Sequence, residues 1–219
     1  MEELKKLKVA VIVAHPDDET LWCGGTILNH PEWECLVISL CRGHDPDRAP
    51  KFYRVMHLLG TWGVMGDLDD GPEQVALPDE EVQNLILQLL PSTYFDLILT
   101  HDPGGEYTQH RRHEETSKAV IHLWNKGKIT TGELWTFAYQ DGKRSYLPVA
   151  VNEGTYYTVL PEKISYQKYS LITIEYGFDL KSWEARTSPV SEAFRQFKTP
   201  GDAMKWLTKR SIDESADVV

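Results

Sequence analysis

The segment Ala-His-Pro-Asp-Asp-Glu at residues 14–19 places an imidazole and three carboxylates next to one another. In a hydrolytic zinc site, three protein nitrogen or oxygen ligands leave a fourth position to a water whose pKa falls to about 7. His15 and Asp18 have the side chains of two such ligands, and Asp17 is then free to act as general base toward the water. The alternative is that Asp17 and Asp18 only cap a helix, where short acidic side chains are favoured. Capping accounts for one aspartate and not for the set.

A second polar cluster follows the strand-like residues 97–100. It comprises the turn-rich loop 101–109 and then His110-Arg-Arg-His113, which opens a helical pattern. His110 and His113 are three residues apart and therefore share a helix face. A histidine pair on a helix is often only a surface feature, but its position near a second strand end favours function. His113 is the predicted third metal ligand, and His110 would polarise a substrate carbonyl or stabilise the oxyanion formed from it. Such a mixed site takes Zn²⁺ but also accepts iron, cobalt, nickel or manganese.

Alternating strand and helix patterns position these two clusters. Strands are predicted at residues 8–14, 34–40, 63–66 and 95–100, and helices at 19–29, 49–59, 79–90 and 110–125. This order predicts a three-layer, Rossmann-like α/β sandwich with a mostly parallel sheet, in which the ends of the first and fourth strands approach each other. Ligand sites in such sheets lie at the carboxyl ends of the strands, where both clusters fall. Further strands at 134–139, 147–151 and 155–159 and a helix at 161–172 would extend the sheet or add an antiparallel edge.

Composition limits the class of protein. The 219 residues are expected to form a single domain, 1–219, with a less certain C-terminal extension from about residue 175. The formal net charge of −10 argues against a nucleic-acid or anionic-membrane partner. No apolar run approaches the ~20 residues of a membrane span and no signal peptide is evident, so a cytoplasmic location is expected. The cysteines are odd in number and lack Cys-x-x-Cys spacing, so Cys23, Cys35 and Cys41 are predicted to be buried thiols.

The motif of residues 14–19, followed by Gly24-Gly25 and the later His-x-x-His, resembles the PIG-L/LmbE-like family of zinc-dependent N-deacetylases over about the first 125 residues. The resemblance implies a Rossmann-like fold and hydrolysis of an N-acyl group, most often the acetyl of an N-acetylglucosamine unit. It implies the same roles as the chemistry above. His15, Asp18 and His113 match the metal ligands, Asp17 the general base and His110 the histidine that assists the oxyanion.

Weaker matches imply three substrate-binding residues. Arg48 matches an arginine that commonly lies near the substrate, although Lys51 replaces the family's usual glutamate, and a solvated helix start is the alternative. Asp70-Gly71 resembles a turn that contacts sugar hydroxyls in relatives, or is a plain β-turn. Tyr107 is the candidate for a loop tyrosine that approaches the tetrahedral intermediate, at an uncommon spacing.

The second motif departs from the family's common His-Pro-Asp-His, because Arg112 stands where the aspartate orients the first histidine. That role passes to Glu114, to Glu106 or to a distant acid, or else His110 contributes less. Gly104-Gly105 would allow the preceding loop to act as a lid.

The expected activity is therefore removal of an acetyl group from an N-acetylated sugar or a related small conjugate. One alternative is an amidase of a sugar-thiol or other conjugate. Another is nucleotide or sugar-nucleotide binding without hydrolysis, although a proline and three acids stand where a Gly-x-Gly-x-x-Gly cradle would be needed. Three roles are open to the aromatic residues near the C-terminus, namely closing the acceptor side of the pocket, contacting another subunit in a homo-oligomer, or packing. The aromatic residues in question are Trp183, Phe194, Phe197 and Trp206.

Overall fold

The structure is a computed structural model that describes residues 6–107, 110–153 and 156–216, with side chains described as far as residue 210. The strands in this part of the chain are β1 (Lys8–Val13), β2 (Glu34–Cys41), β3 (Trp62–Leu68), β4 (Tyr94–Thr100), β5 (Thr130–Phe137), β6 (Tyr139–Gln140), β7 (Val149–Ala150), β8 (Tyr156–Val159) and β9 (Ser191–Phe197). The helices are α1 (Asp18–Asn29), α2 (Arg48–Leu59), α3 (Asp79–Leu89), α4 (Arg111–Asn125), α5 (Glu162–Ser170), α6 (Trp183–Thr187) and α7 (Pro200–Ala216). A π-helical turn, Leu171–Glu175, continues α5.

Seven of these strands form the central sheet in the order β3-β2-β1-β4-β5-β9-β8. The first five are parallel, and β9 and β8 add an antiparallel edge. Because β1 pairs with both β2 and β4, the ends of the first and fourth strands lie side by side. The predicted α/β fold, the contact between these strand ends and the antiparallel edge are confirmed.

Helices cover both faces of the sheet, which explains why every residue from Val9 to Val13 is apolar and buried. Val9, Val11 and Val13 pack in one core with side chains of α1 and α2. Ala10 and Ile12 pack on the opposite face with side chains of α3, α4 and α7. A strand that is covered on both faces has no solvent side to carry polar residues. Successive β1 side chains thus anchor opposite layers.

The differences from the predicted elements lie at boundaries and in the C-terminal third. The third strand is longer than 63–66, the helix predicted at 161–172 becomes π-helical after Ser170, and the strand predicted at 134–139 begins at Thr130 and ends at Phe137. Residue 155, the predicted start of another strand, lies outside the described residues. Strand β9 was not predicted, because its Glu192 is a buried charge that breaks the apolar pattern.

Cys23, Cys35 and Cys41 are buried and unpaired, as predicted. Among the described helices, none has the length and hydropathy needed to cross a bilayer.

A buried ion pair joins the antiparallel edge to helix α1. Glu192 accepts hydrogen bonds from Lys168 Nζ at 2.7 Å, from the Gly25 amide at 2.8 Å and from the Thr26 amide at 2.7 Å. Both charged side chains are fully buried. A glycine at position 25 leaves room for Leu160 and Glu192, which occupy the space that a side chain would need. The second glycine of the Gly24-Gly25 pair is therefore explained by packing.

We expect Gly25→Ala to lower the free energy of unfolding by about 1–3 kcal/mol, because the added methyl would meet the buried Leu160 methyl carbons at 2.3 and 2.5 Å. Gly24→Ala is the matched control, since the nearest atom to its methyl would be Thr20 Cγ2, at 3.4 Å, and alanine favours the helix by up to about 1 kcal/mol. Chemical denaturation measures both. Equal stability of the two variants would contradict the packing explanation.

Candidate active site

The turn after β1 holds Asp17 and Asp18 in different roles. Asp17 has a φ of 122°, a backbone conformation that L-residues rarely adopt, and its carbonyl accepts from the amides of Thr20 and Leu21. It occupies the N-cap position of α1, yet its side chain makes no capping hydrogen bond. The carboxylate of Asp18 instead turns back to accept from the His15 amide at 2.9 Å. The interpretation of these aspartates as helix caps is therefore wrong, and both carboxylates are available to the site.

The three predicted metal ligands converge on one point. Oδ2 of Asp18 lies 3.1 Å from Nδ1 of His15 and 3.2 Å from Nε2 of His113. Nε2 of His113 is buried and has no hydrogen-bond partner within the described part of the chain. A buried nitrogen without a partner is uncommon and calls for an explanation. A divalent transition metal would complete such an arrangement. Two groups of donor atoms that contain His113 lie within 4.8 Å of one another, His15 with His110 and His113, and Asp18 with His101 and His113, so the residues present fit such an ion.

A buried glutamate that sequence reasoning assigned to another histidine supports this cluster. Glu106 Oε2 lies 2.6 Å from Nδ1 of His113 and 2.9 Å from Nδ1 of His101. Burial opposes its charge, but His101 and His113 lower the pKa of Glu106 to about 2. Glu106 was one of the acids predicted to orient His110. It instead orients the side chain of His113, leaving Nε2 of that ring to face Asp18.

His101 was missed by the sequence analysis, although it directly follows β4. Its Nε2 accepts from the Ala14 amide at 3.0 Å, so its proton lies on Nδ1, toward Glu106. His101 and His113 stack with ring centroids 3.9 Å apart. The Ala14 amide uses the lone pair of His101 Nε2, whereas Nδ1 of His15 faces Asp18, another proposed ligand. His101 is therefore less suited than His15 to bind a metal, although it also lies near Asp18. The backbone bond to Ala14 ties the end of β4 to the end of β1.

His110 lies beside the cluster, next to the rings of His15 and His113. Its ring centroid is 4.8 Å from that of His15 and 4.2 Å from that of His113, and its buried Nδ1 lacks a hydrogen-bond partner among the described residues. Burial and the neighbouring His113 and His15 lower the pKa of His110 to about 3. The side chain is therefore a neutral imidazole near pH 7, able to donate one hydrogen bond but carrying no charge.

Arg48 contacts the predicted general base directly. Its Nη1 donates to Oδ2 of Asp17 at 3.2 Å, and its guanidinium lies over the ring of Phe178 at 4.6 Å from the centroid. Burial and the adjacent Asp18 raise the pKa of Asp17 well above its usual range, and Arg48 opposes this shift. A carboxylate with a raised pKa is a better proton acceptor near neutral pH. The structure thus places Arg48 against Asp17 rather than at an exposed helix start.

Asp70 contacts a predicted metal ligand and a second arginine. Its Oδ1 lies 3.1 Å from Nε2 of His15, and its Oδ2 accepts from Nε and Nη2 of Arg42 at 2.9 and 2.6 Å. Burial opposes its charge, but His15, Gln74 and Arg42 hold the pKa of Asp70 below its usual range. A plain β-turn does not describe this residue. Arg42 was missed by sequence reasoning, although its position directly after β2 places it at the same edge of the sheet.

Tyr107 and Trp183 form the aromatic wall of the site. Their ring centroids lie 4.6 Å apart, and the Tyr107 ring also contacts His110 and His113 at 5.5 and 5.4 Å. Of the roles predicted for the C-terminal aromatics, Trp183 fits closure of the pocket. Phe194 and Phe197 lie in β9 and are buried in the core.

The loop before α4 is anchored by helix α7. Asp102 accepts from Trp206 Nε1 at 2.9 Å and from Arg210 Nε at 3.1 Å. A side chain at Gly104 would collide with the Arg210 guanidinium at 2.2 Å. This contact gives a packing explanation for Gly104, and Gly105 adopts a φ of 70°. The expectation that the loop acts as a lid stays a prediction. Residues 108 and 109 lie outside the described residues.

These side chains line a cavity of about 340 Å³ at the carboxyl edge of the sheet. Seven of the eight residues predicted for the site line it directly, and the eighth, His113, lies buried beneath it. The seven are His15, Asp17, Asp18, Arg48, Asp70, Tyr107 and His110.

Comparison with known proteins gives relatives in sequence. No family model matches the chain. It is 25% identical over 176 residues to an uncharacterized protein of Acanthamoeba polyphaga mimivirus, covering 74% of this chain and 75% of that protein. It is 26% identical over 137 residues to the N-acetylglucosaminyl-phosphatidylinositol de-N-acetylase of Bos taurus, covering 57% of this chain and 53% of the enzyme. The chain thus spans about half the length of the bovine relative.

Solved structures share the fold. The N,N'-diacetylchitobiose deacetylase of Pyrococcus horikoshii superposes with a TM-score of 0.66 at 18% identity, covering 87% of this chain and 84% of that one. The 4-carboxy-2-hydroxymuconate hydratase of Pseudomonas putida superposes with a TM-score of 0.57 at 16% identity, covering 84% and 83%. The resemblance to PIG-L/LmbE-like deacetylases is confirmed in fold and is supported by the bovine relative in sequence. Because a hydratase has the same fold, the reaction has to be argued from the site.

We expect Glu106→Gln to weaken Zn²⁺ binding by about 10- to 100-fold, the usual loss when the carboxylate behind a ligating histidine is removed. Titration of metal-free protein with Zn²⁺ measures this. The matched control is Glu114→Gln, which alters the other nearby acid predicted to orient a histidine. An equal loss of affinity in both variants would show that Glu106 does not position His113.

Proposed function

We propose that the protein is a metal-dependent amide hydrolase that removes an acetyl group from an N-acetylglucosamine-type sugar or a related small conjugate. The observation that carries the proposal is the position of His15, Asp17 and Asp18 in one cavity, with His113 buried next to Asp18. The deacetylases among its relatives in sequence and fold support the same reaction class. The hydratase neighbour does not favour a different reaction, because the fold alone does not determine the reaction and the proposal rests on the metal donors.

The metal would be held by His15, Asp18 and His113. Zinc is proposed first, and other divalent transition metals fit the same donors. When bound, such an ion polarises a carbonyl oxygen and makes a water molecule acidic enough to lose a proton near neutral pH.

The remaining residues supply proton transfer and charge stabilisation. Asp17 would take the proton of the attacking water and return it to the leaving amine, and its raised pKa suits both steps. Arg48 holds the Asp17 carboxylate in place. His110, a neutral imidazole, would donate a hydrogen bond to the oxygen that becomes negatively charged. Its Nδ1 is buried without a partner among the described residues, which leaves orientation of the ring to packing.

The walls of the cavity suit a small polar ring. Arg48, Asp70 and Tyr107 remain the proposed substrate contacts, joined by Arg42 and Trp183 from the structure. A volume of about 340 Å³ lies at the small end of the range for ligand pockets of ~300–1,000 Å³. One sugar unit carrying the acetyl group would occupy it while the acceptor extends outward. An amidase acting on a sugar-thiol conjugate would use the same machinery, and comparing acetate release across N-acetyl sugars and such conjugates separates the two.

The deciding experiment is metal content by plasma mass spectrometry on protein purified without chelator. We expect about one equivalent of zinc or another transition metal in the intact chain and little in a His15→Ala, His113→Ala double variant. Acetate release from N-acetyl sugars would then be assayed on the metal-loaded protein. Negligible metal in both proteins would reject the hydrolase and favour binding of a nucleotide or carbohydrate.

We expect Asp17→Asn to retain its metal while kcat falls by roughly 10²- to 10⁴-fold, the contribution of a positioned general base. His113→Ala should lose the metal itself, because it removes a donor and not a proton acceptor. Steady-state kinetics and metal analysis on the same samples separate the two effects. Full turnover by Asp17→Asn would show that the base is another residue.

A further inference from the structure

The loop between β3 and α3 forms one wall of the cavity. Residues 69–77, here called the 69–77 loop, carry Asp70 against His15 and place Pro72 and Gln74 along the cavity. The loop has no regular secondary structure of its own. Its conformation therefore decides where this wall stands relative to the metal ligands.

The conformation of the loop is unfavourable by itself. Gln74 has a φ of 45°, in the left-handed region that residues other than glycine seldom adopt. Its Nε2 bonds to Asp70, but its Oε1 is buried without a hydrogen-bond partner in the described part of the chain. Strained backbone of this kind persists only where surrounding structure holds it. Groups outside the loop therefore have to fix both ends of the turn.

Arg112 holds the loop at two carbonyl groups. Its Nε donates to the Asp69 carbonyl at 2.6 Å and its Nη2 to the Val75 carbonyl at 2.8 Å. These two carbonyls flank the turn that contains Gln74. The Arg112 side chain is only 1% exposed, an unusual position for an arginine. A rigid guanidinium fork can hold two acceptors at a fixed separation, which a lysine cannot do.

Glu115 completes the attachment three residues further along α4. One of its oxygens accepts from Nη1 of Arg112 at 2.6 Å, and the other accepts from the Leu77 amide at 3.0 Å. The pair thus binds the loop backbone at Asp69, Val75 and Leu77. The same helix carries His113, so the loop is fixed relative to a proposed metal ligand.

We propose that Arg112 and Glu115 are positioning residues that hold the 69–77 loop and so set where Asp70 and Gln74 meet the substrate. The proposal rests on the proposed function in taking the cavity as the substrate site. Arg112 stands where the family resemblance expects the orienting aspartate, and it orients a wall of the pocket in place of a histidine. Loss of this attachment should weaken substrate binding while the metal donors, which lie outside the 69–77 loop, stay in place.

The test compares Arg112→Gln, Arg112→Lys and Glu115→Gln with Arg111→Gln, in which the adjacent and exposed arginine is changed. Hydrogen exchange of the peptides that cover residues 69–77 reports on the loop without any substrate. Metal content and the separate values of kcat and KM for an N-acetyl sugar report on the site. The Arg112→Gln, Glu115→Gln double variant is included because it leaves no unpaired charge if the single change at Arg112 impairs folding.

We expect faster exchange in the 69–77 peptides, a KM raised by roughly 10-fold and unchanged metal content in the Arg112→Gln and double variants. Arg112→Lys and Glu115→Gln should fall between these and the wild type, and Arg111→Gln should match the wild type. Unchanged exchange, or faster exchange with unchanged KM, would overturn the positioning role. Parallel loss of metal, kcat and thermal stability would also overturn it, by showing a general role in folding.

A failure of the proposed function can be distinguished from a failure of the positioning role. If the wild-type protein binds metal but releases no acetate from any N-acetyl sugar, the assigned reaction is wrong, whereas the exchange comparison still reports whether Arg112 and Glu115 hold the loop.

Discussion

A buried carboxylate surrounded by imidazoles is the interaction on which the site depends. Asp18 is 4% exposed, and its Oδ2 lies close to His15, His113 and His101. Burial opposes the charge, yet the histidines hold the pKa of Asp18 well below its usual range. A buried charge has to be compensated, and the compensating groups come from the end of β1, the end of β4 and the start of α4. The sheet order, which places β1 beside β4, brings these compensating groups together around Asp18.

Acids and imidazoles alternate outward from this centre. Glu106 lies behind His101 and His113, and Asp70 lies beyond His15. Each carboxylate is in turn held by backbone amides or by an arginine. The alternation leaves few of these side chains free to rotate, which is the order that a catalytic or metal site requires. His110 is the exception, and its neutral ring is held by neighbouring rings.

Most of the central sheet and the main side chains of the site could be predicted from the sequence, because local signals specify them. The apolar run before His15 marks a strand covered on both faces, and the His-x-x-His spacing places two rings on one helix face. The partners of those side chains could not be predicted from local patterns. The contacts of Arg42 with Asp70 and of Trp183 with Tyr107 arise only when distant segments pack together. The pairing of Glu106 with His113 depends on the path of the irregular loop before α4. Strand β9 was hidden because its inward Glu192 is neutralised by Lys168 from another element.

The attachment of Asp102 to α7 has a consequence for the order of synthesis. Every proposed metal ligand and the general base lie within the first 113 residues, but the loop that carries Glu106 is anchored by Trp206 and Arg210. As the chain leaves the ribosome, the ligands therefore emerge about a hundred residues before the helix that secures their support. Domains commonly begin to fold while synthesis continues. In this protein a nascent chain could assemble the parallel strands early, but its metal-binding geometry would become fixed only after α7 has been made.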